Sequence, residues 1–240
     1  KVAIPLFCAL FSIFIIAFII QVINKQFGGI AMSVRKLIDA RSSVRHYDPA
    51  YKIDENILEG LIEGASKSPN GNNIQATRYL VIDDPQVKET LLPIAYNQQQ
   101  VVEASAVIVV LGDYAAFEKE NIINIQEQGF QKGYFNTDIR EFLASAAIDY
   151  YSNKTEEDLK LELIRDASLA SMSLLLLANE AGLDTITMSG YDSDKLRKVL
   201  KIPDRYLDVM LIAIGKGVKQ GHQTVRHAVN KIIFKNSINR

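Results

Sequence analysis

The chain has 240 residues, 48% hydrophobic and 23% charged, with 27 basic against 28 acidic side chains and a formal net charge of −1. That is an ordinary globular composition, with no charge excess to seek nucleic acid or an acidic partner. A single cysteine, Cys8, excludes a disulfide or a thiolate metal site within the chain. His46, His222 and His227 lack ligand spacing to carboxylates, so no metal is expected, and neither a Walker A pattern nor G-x-G-x-x-G occurs.

The chain opens on an apolar run, residues 2–23, uninterrupted by charge. As a helix it would span roughly 33 Å, enough for a bilayer core, and on hydropathy it reads as a membrane anchor. A second reading starts the protein at Met32. The Gly28-Gly29 pair just upstream could be a translated ribosome-binding site, and the Phe, Ile, Lys and Asn bias of residues 1–31 suits untranslated DNA. The expectation is therefore a segment 1–31, either an anchor or mis-called upstream translation, and one domain over 32–240. No linker, repeat or low-complexity run divides the latter. The expected location is cytoplasmic, or membrane-anchored if residues 2–23 are present.

Apolar residues at 34, 37 and 38 predict a short helix over 33–40. Those at 57, 58, 61 and 62 predict an amphipathic helix over 54–65, stopped by the breaker run 66–73. Residues 78–82 read as a strand and 85–92 as a helix. The continuous apolar run 106–111, AVIVVL, is expected of a strand buried on both faces. Residues 114–150 are helical in pattern but irregular. Thr155 begins a long helix running to Gly182, with Asp158 as its capping partner. Its later half, SLASMSLLLLANEAG, is apolar nearly all round and must be buried in the core or against another subunit. Residues 184–187 and 209–214 add two strands, and the interleaving gives an α/β or α+β fold.

Between the first two helices stands Arg41-Ser42-Ser43-Val44-Arg45-His46-Tyr47-Asp48-Pro49. Two guanidinium groups four residues apart can converge on one anion, and the serine hydroxyls add neutral donors to the same oxygens. This is phosphate chemistry without a glycine-rich loop. The competing reading is a solvated helix end with incidental charges.

Four segments, in order, resemble the FMN-dependent nitroreductase family and specifically its NAD(P)H nitroreductase branch. They are RSSVRHYDPAYKI (41–53), SPNGNNIQATRYLVIDDP (68–85), YNQQQVVEASAVIVVLGD (96–113) and TMSGYDSDKLRKVLKIPDRYLDVMLIAIGKG (187–217). The resemblance implies an α+β fold: a mixed sheet flanked by helices, forming a homodimer with FMN sites at the subunit interface. It implies Arg41, Ser42 and Ser43 as contacts to the FMN phosphate and ribityl chain, and Arg45 near the flavin N1/O2 edge. Arg226 would close on the phosphate, with Thr224 where the family often has a second basic residue. Ser68, Pro69, Asn73 and Gln75 match a loop that lies along the flavin from the partner subunit, although Gln75-Ala76-Thr77 replaces the common Gln-Pro-Trp. Asn97 matches an asparagine at the ring edge. Ser189 and Gly190 match the turn whose backbone N–H faces flavin N5.

The resemblance thus implies an FMN-dependent oxidoreductase with NADH or NADPH as co-substrate. It would pass hydride through flavin N5 to a nitroaromatic, quinone or similar small-molecule acceptor with ping-pong kinetics. No catalytic side chain is expected, because the flavin carries the reactive atom. The alternative is a flavin-binding protein that is not a reductase, serving as a flavin store or redox sensor and membrane-tethered if residues 2–23 are present.

Overall fold

The structure, a computed structural model, describes residues 33–238; the apolar run 2–23 and the two readings of it lie outside the described residues. The chain divides after Asp39, and the unit from Ala40 onward holds every candidate site residue. In chain order the elements are α1 (Val34–Ala40), α2 (Glu55–Ser66), β1 (Thr77–Ile82), α3 (Pro85–Leu91), α4 (Gln100–Glu103) and β2 (Ala106–Asp113). They continue with α5 (Lys119–Gln131), α6 (Thr137–Ser152), α7 (Glu156–Glu180), β3 (Asp184–Met188), α8 (Ser193–Leu200) and β4 (Tyr206–Gly215). Short 3-10 turns occupy Gly71–Asn73, Tyr114–Phe117 and Val229–Lys231.

The four strands form one sheet in the order β1-β2-β4-β3, each neighbouring pair antiparallel. A parallel bridge, Ser43 to Thr185, adds the mixed character at the β3 edge. All eight residues of β2 are buried, as its unbroken apolar run requires. Alternate side chains serve opposite faces. Val107, Val109 and Leu111 pack with Val44, Tyr47, Leu91, Ile94, Val101 and Leu196. Ala106, Ile108 and Val110 pack with Leu61 and Ala65 of α2 and with Ala167, Leu174 and Ala178 of α7. The sheet is therefore covered on both sides, which gives the expected α+β fold.

Helix starts follow their caps. Asp54 accepts from the Asn56 amide, and Asp84 accepts from the Val87 amide with Pro85 at the first position. Thr155 and Asp158 form a full reciprocal capping box at the start of α7. The irregular stretch 114–150 becomes a 3-10 turn and two separate helices, parted by Gly133 at φ 74°. The helices α4 and α8 have no counterpart among the predicted elements. α4 is a single turn, too short to show periodicity, and α8 starts from an Asp192 cap on only eight residues.

Within one chain the later half of α7 is buried on one face, which is the part of the expectation that concerns the core. Ala167, Ala170, Ser171, Leu174, Leu175 and Ala178 are buried, while Leu169 (45%) and Met172 (38%) are exposed, in line with Leu161 (51%) one turn pair earlier. Among the described residues no helix is long and apolar enough to cross a membrane.

Candidate functional site

The arginine–serine segment is not a helix end. The chain leaves helical geometry after Ala40, and Val44 N–H donates to Thr185 O at 3.1 Å while Ser43 bridges Thr185. The four-residue spacing of Arg41 and Arg45 thus cannot stack them as on a helix; a fully extended chain separates such residues by roughly 13 Å. What fixes the segment is two buried pegs. Val44 is 1% exposed and Tyr47 2%, both inside the core beneath β4 and β3. The Tyr47 N–H donates to Glu103 Oε2 at 3.1 Å, and its hydroxyl donates to Ala213 O at 3.4 Å. Burial, with the nearby Asp184 charge adding to it, pushes the Tyr47 hydroxyl above the ordinary tyrosine range, so it serves as a donor and not as a titrating group.

The pegs leave the polar residues outward. Arg41, Ser42 and Ser43 are half-buried and Arg45 is exposed. Neither guanidinium has a hydrogen-bond or ion-pair partner among the described residues. Arg41, unpaired beside two hydroxyls and without a neutralising carboxylate, suits a phosphate, and Arg45 leaves a second unpaired cation farther along the same segment.

The chain beyond β4 returns to this segment. Asp48 N–H donates to Lys216 O at 2.8 Å, and Val218 N–H donates to His46 O at 3.0 Å. Gly221 then lies so close to the serines that a Cβ there would stand 2.5 Å from Ser43 O and 2.8 Å from Ser42 Oγ. The two ends of the folded chain are therefore brought together as far as Gly221. Arg226 is not brought onto the cluster: its guanidinium donates to Thr224 Oγ1 at 2.6 Å and to Val225 O at 2.8 Å, and it is exposed. Thr224, where a second basic residue was missing, is thus its local acceptor.

Loop 68–75 forms a second group, docked on α7. Ser68 Oγ bonds Ser173 Oγ at 2.6 Å, and Asp166 Oδ2 accepts from Gly71 N–H at 3.1 Å. Gln75 N–H donates to Asn70 Oδ1 at 2.9 Å. Asn72, Asn73 and Gln75 have φ of 47°, 53° and 55°, a run of left-handed conformations that non-glycine residues adopt only when held. Pro69, Asn73 and Gln75 are exposed. Asp166, 4% exposed, is the anchor; burial raises its pKa, Glu162 adds to the rise, and the Gly71 amide opposes it. Among the described residues no hydrogen bond ties this loop to the arginine–serine segment or to Ser189–Gly190.

The third group joins two turns. Asn97 is exposed at φ 58°, next to Tyr96 at φ 54°, and the Asn97 amide donates to Leu92 O at 2.8 Å. Gln98 Nε2 donates to Gly190 O at 2.8 Å, which sets the 95–98 turn against the end of β3. Asp192 N–H donates to Ile94 O at 3.0 Å and closes the same contact. The sequence reading missed Gln98, Asp166 and Tyr47 as organisers. A partial signal existed for Gln98: it opens a glutamine run that leads into an apolar segment, and the run's last member, Gln100, is 5% exposed and bonded to Gln98.

Comparison with known proteins identifies the family. Residues 38–216 match the model of the Nitroreductase family. The Bacillus subtilis protein YodC, named "Putative NAD(P)H nitroreductase", is 35% identical over 196 residues, covering 82% of this chain and 95% of that protein. The CLA biosynthesis enone reductase of Lactiplantibacillus plantarum is 30% identical over 190 residues, covering 78% and 87%. A "putative nitroreductase" of Exiguobacterium sibiricum, solved in complex with FMN, is 35% identical with a TM-score of 0.81, covering 86% of this chain and 98% of that one. With the family match spanning most of the chain and these likenesses running through the whole folded part, the chain belongs to the nitroreductase family.

Proposed function

We propose that this chain is an FMN-dependent NAD(P)H oxidoreductase that holds FMN by its phosphate on Arg41, Ser42 and Ser43. The carrying observation is the unpartnered Arg41 guanidinium beside two hydroxyls on a backbone pinned by Val44 and Tyr47. When bound, FMN supplies the atom that accepts hydride from NADH or NADPH and delivers it to a nitroaromatic, quinone or similar acceptor. The chain's own residues place that group and set its surroundings. Arg45 puts positive charge near the N1/O2 edge, and Arg226 would close on the phosphate from the tail only by giving up its present bonds to Thr224 and Val225. Asn97 faces the ring edge. The Ser189–Gly190 turn offers a backbone N–H to N5. That amide is available: the Tyr191 N–H donates to Ser189 O at 3.2 Å, and a planar trans peptide then directs the Gly190 N–H the opposite way.

The unit is a homodimer, with Ser68, Pro69, Asn73 and Gln75 reaching the flavin of the partner subunit. Two observations support this. Loop 68–75 has no hydrogen bond to the other site groups of its own chain among the described residues, and α7 presents Leu161, Leu169 and Met172 as an unpartnered apolar stripe. The working location is the cytoplasm. Purified protein mixed with FMN should turn yellow and oxidise NADH or NADPH far faster than free flavin does. Protein that stays colourless with excess FMN would sink the proposal, and yellow protein without turnover would make it a flavin store. Leu169→Glu should convert a dimer into a monomer by size-exclusion light scattering and lower FMN retention.

A further inference from the structure

We propose that Gln98 is a positioning residue that aims the Gly190 amide; this rests on the reading of Ser189–Gly190 as the turn facing flavin N5. The Gln98 side-chain amide nitrogen donates to Gly190 O at 2.8 Å and to Ala95 O at 3.0 Å, using both of its N–H groups. Its oxygen accepts from Gln100 Nε2 at 3.0 Å, and Gln100 Nε2 also contacts Met188 Sδ at 3.3 Å. Every polar atom of Gln98 is thus assigned: nitrogen to two carbonyls, oxygen to one donor. The Gln100 end is buried and cannot exchange its bonds for water.

The target of this chain of amides is the Gly190 carbonyl, whose neighbours are held separately by the Asp192 N–H to Ile94 O bond and by Tyr191 packed on the core. β3 ends at Met188, and the segment 189–191 keeps an i to i+2 bond from Tyr191 N–H to Ser189 O at 3.2 Å. Such a turn fixes its own curvature but not its tilt against the sheet. The Gly190 carbonyl and its own amide lie on successive peptide planes hinged at one Cα, so a bond that fixes the carbonyl limits where the N–H points. On the other side Gln98 follows Tyr96 and Asn97, consecutive left-handed residues, so the holding side chain comes from a turn that is itself locked. A Cβ at Gly190 would sit 3.5 Å from Gln98 Nε2 and 3.8 Å from Tyr96 Cδ2, which shows how closely the two turns meet. Oxidised flavin N5 accepts a hydrogen bond, whereas N5 that has gained hydride carries its own hydrogen. A well-aimed Gly190 N–H therefore favours the oxidised ring.

The test replaces Gln98 by methionine, which keeps length and volume but has no donor, with Gln98→Glu as a second variant. In cofactor-free protein, hydrogen–deuterium exchange of residues 189–192 should quicken about tenfold in Gln98→Met, as expected for losing two such bonds. In the FMN-loaded protein the oxidised ring should bind about tenfold less tightly relative to the reduced one, raising the two-electron potential by about 30 mV. The visible circular dichroism of the flavin should change with it. Unaltered exchange, potential and dichroism in a folded variant overturn the proposal, and so does failure of both variants to fold, since Gln98 would then be a folding residue. If wild-type protein takes up no FMN the proposed function fails instead, while the exchange data still judge the latch.

Discussion

At the Arg41–Arg45 end, the donors ride on a backbone nailed down by two buried side chains, by main-chain bonds to Thr185 and Lys216, and by a tail pressed to within contact of Ser42 and Ser43. At the Ser189–Gly190 end, the Gly190 carbonyl is held by one side-chain amide, while the Asp192 N–H to Ile94 O bond and the packing of Tyr191 fix the chain just beyond it. The first arrangement resists change because disturbing it opens the core. The second can be altered by one polar substitution without exposing apolar surface. The contrast suits the division of labour proposed above: a phosphate needs a fixed cationic cradle, while the reacting edge of a ring needs direction set to a few tenths of an ångström.

The strongest way to break the contrast is at Tyr47. Tyr47→Ala should cost about 3–5 kcal/mol of stability, as for other large buried rings, read as a fall in the denaturant midpoint. Small destabilisation there would mean that the cradle is not anchored by the core. Next in size, Arg41→Ala should weaken FMN binding about tenfold to a hundredfold, the worth of one charge-assisted hydrogen bond at about 1.5–3 kcal/mol. Its unfolding midpoint should not move, since Arg41 has no protein partner among the described residues. Unchanged FMN affinity would remove Arg41 from the phosphate.

Arg45→Ala should keep the cofactor and lower its reduction potential. A charge pair at about 4 Å and an effective dielectric of 20 is worth on the order of 4 kcal/mol. The side chain is exposed, however, so solvent screening should reduce the effect to about 30 mV. A potential that rises or stays put would place Arg45 elsewhere. The smallest effect is expected at Asp166. Burial raises its folded pKa, so its contribution to overall stability is complete below the ordinary carboxylate value, about 4, and is lost as the pH climbs through the raised folded value, although the Gly71 N–H bond itself favours the ionised form. The denaturant midpoint should decline over that window in the wild type and stay flat in Asp166→Asn. The same decline in both proteins would assign it to another group.

Much of the frame was legible in the chain itself. The unbroken apolar run of β2 demanded cover on both faces, and α2 and α7 on one side with α3, α4 and α8 on the other provide it. Asp54, Pro85 and the Thr155–Asp158 pair marked helix starts correctly, because a cap is satisfied within three residues of itself. The arginine–serine segment stood out by residue type alone. Its conformation did not, for the four-residue spacing suited a helix, and only pairing with Thr185 on a strand far along the chain makes it extended.

What the amino-acid order determined, then, is whatever a few neighbouring residues can settle: periodicity, caps, the apolar bulk of α7, and a cluster of cations and hydroxyls. Tertiary structure alone decided which turns meet. Gln98 reaches Gly190 across 92 positions, Asp166 reaches Gly71 across 95, and Gly221 comes to rest on Ser42. Those contacts depend on how the sheet orders its strands and where each connection must cross, and no local pattern of side chains carries that information.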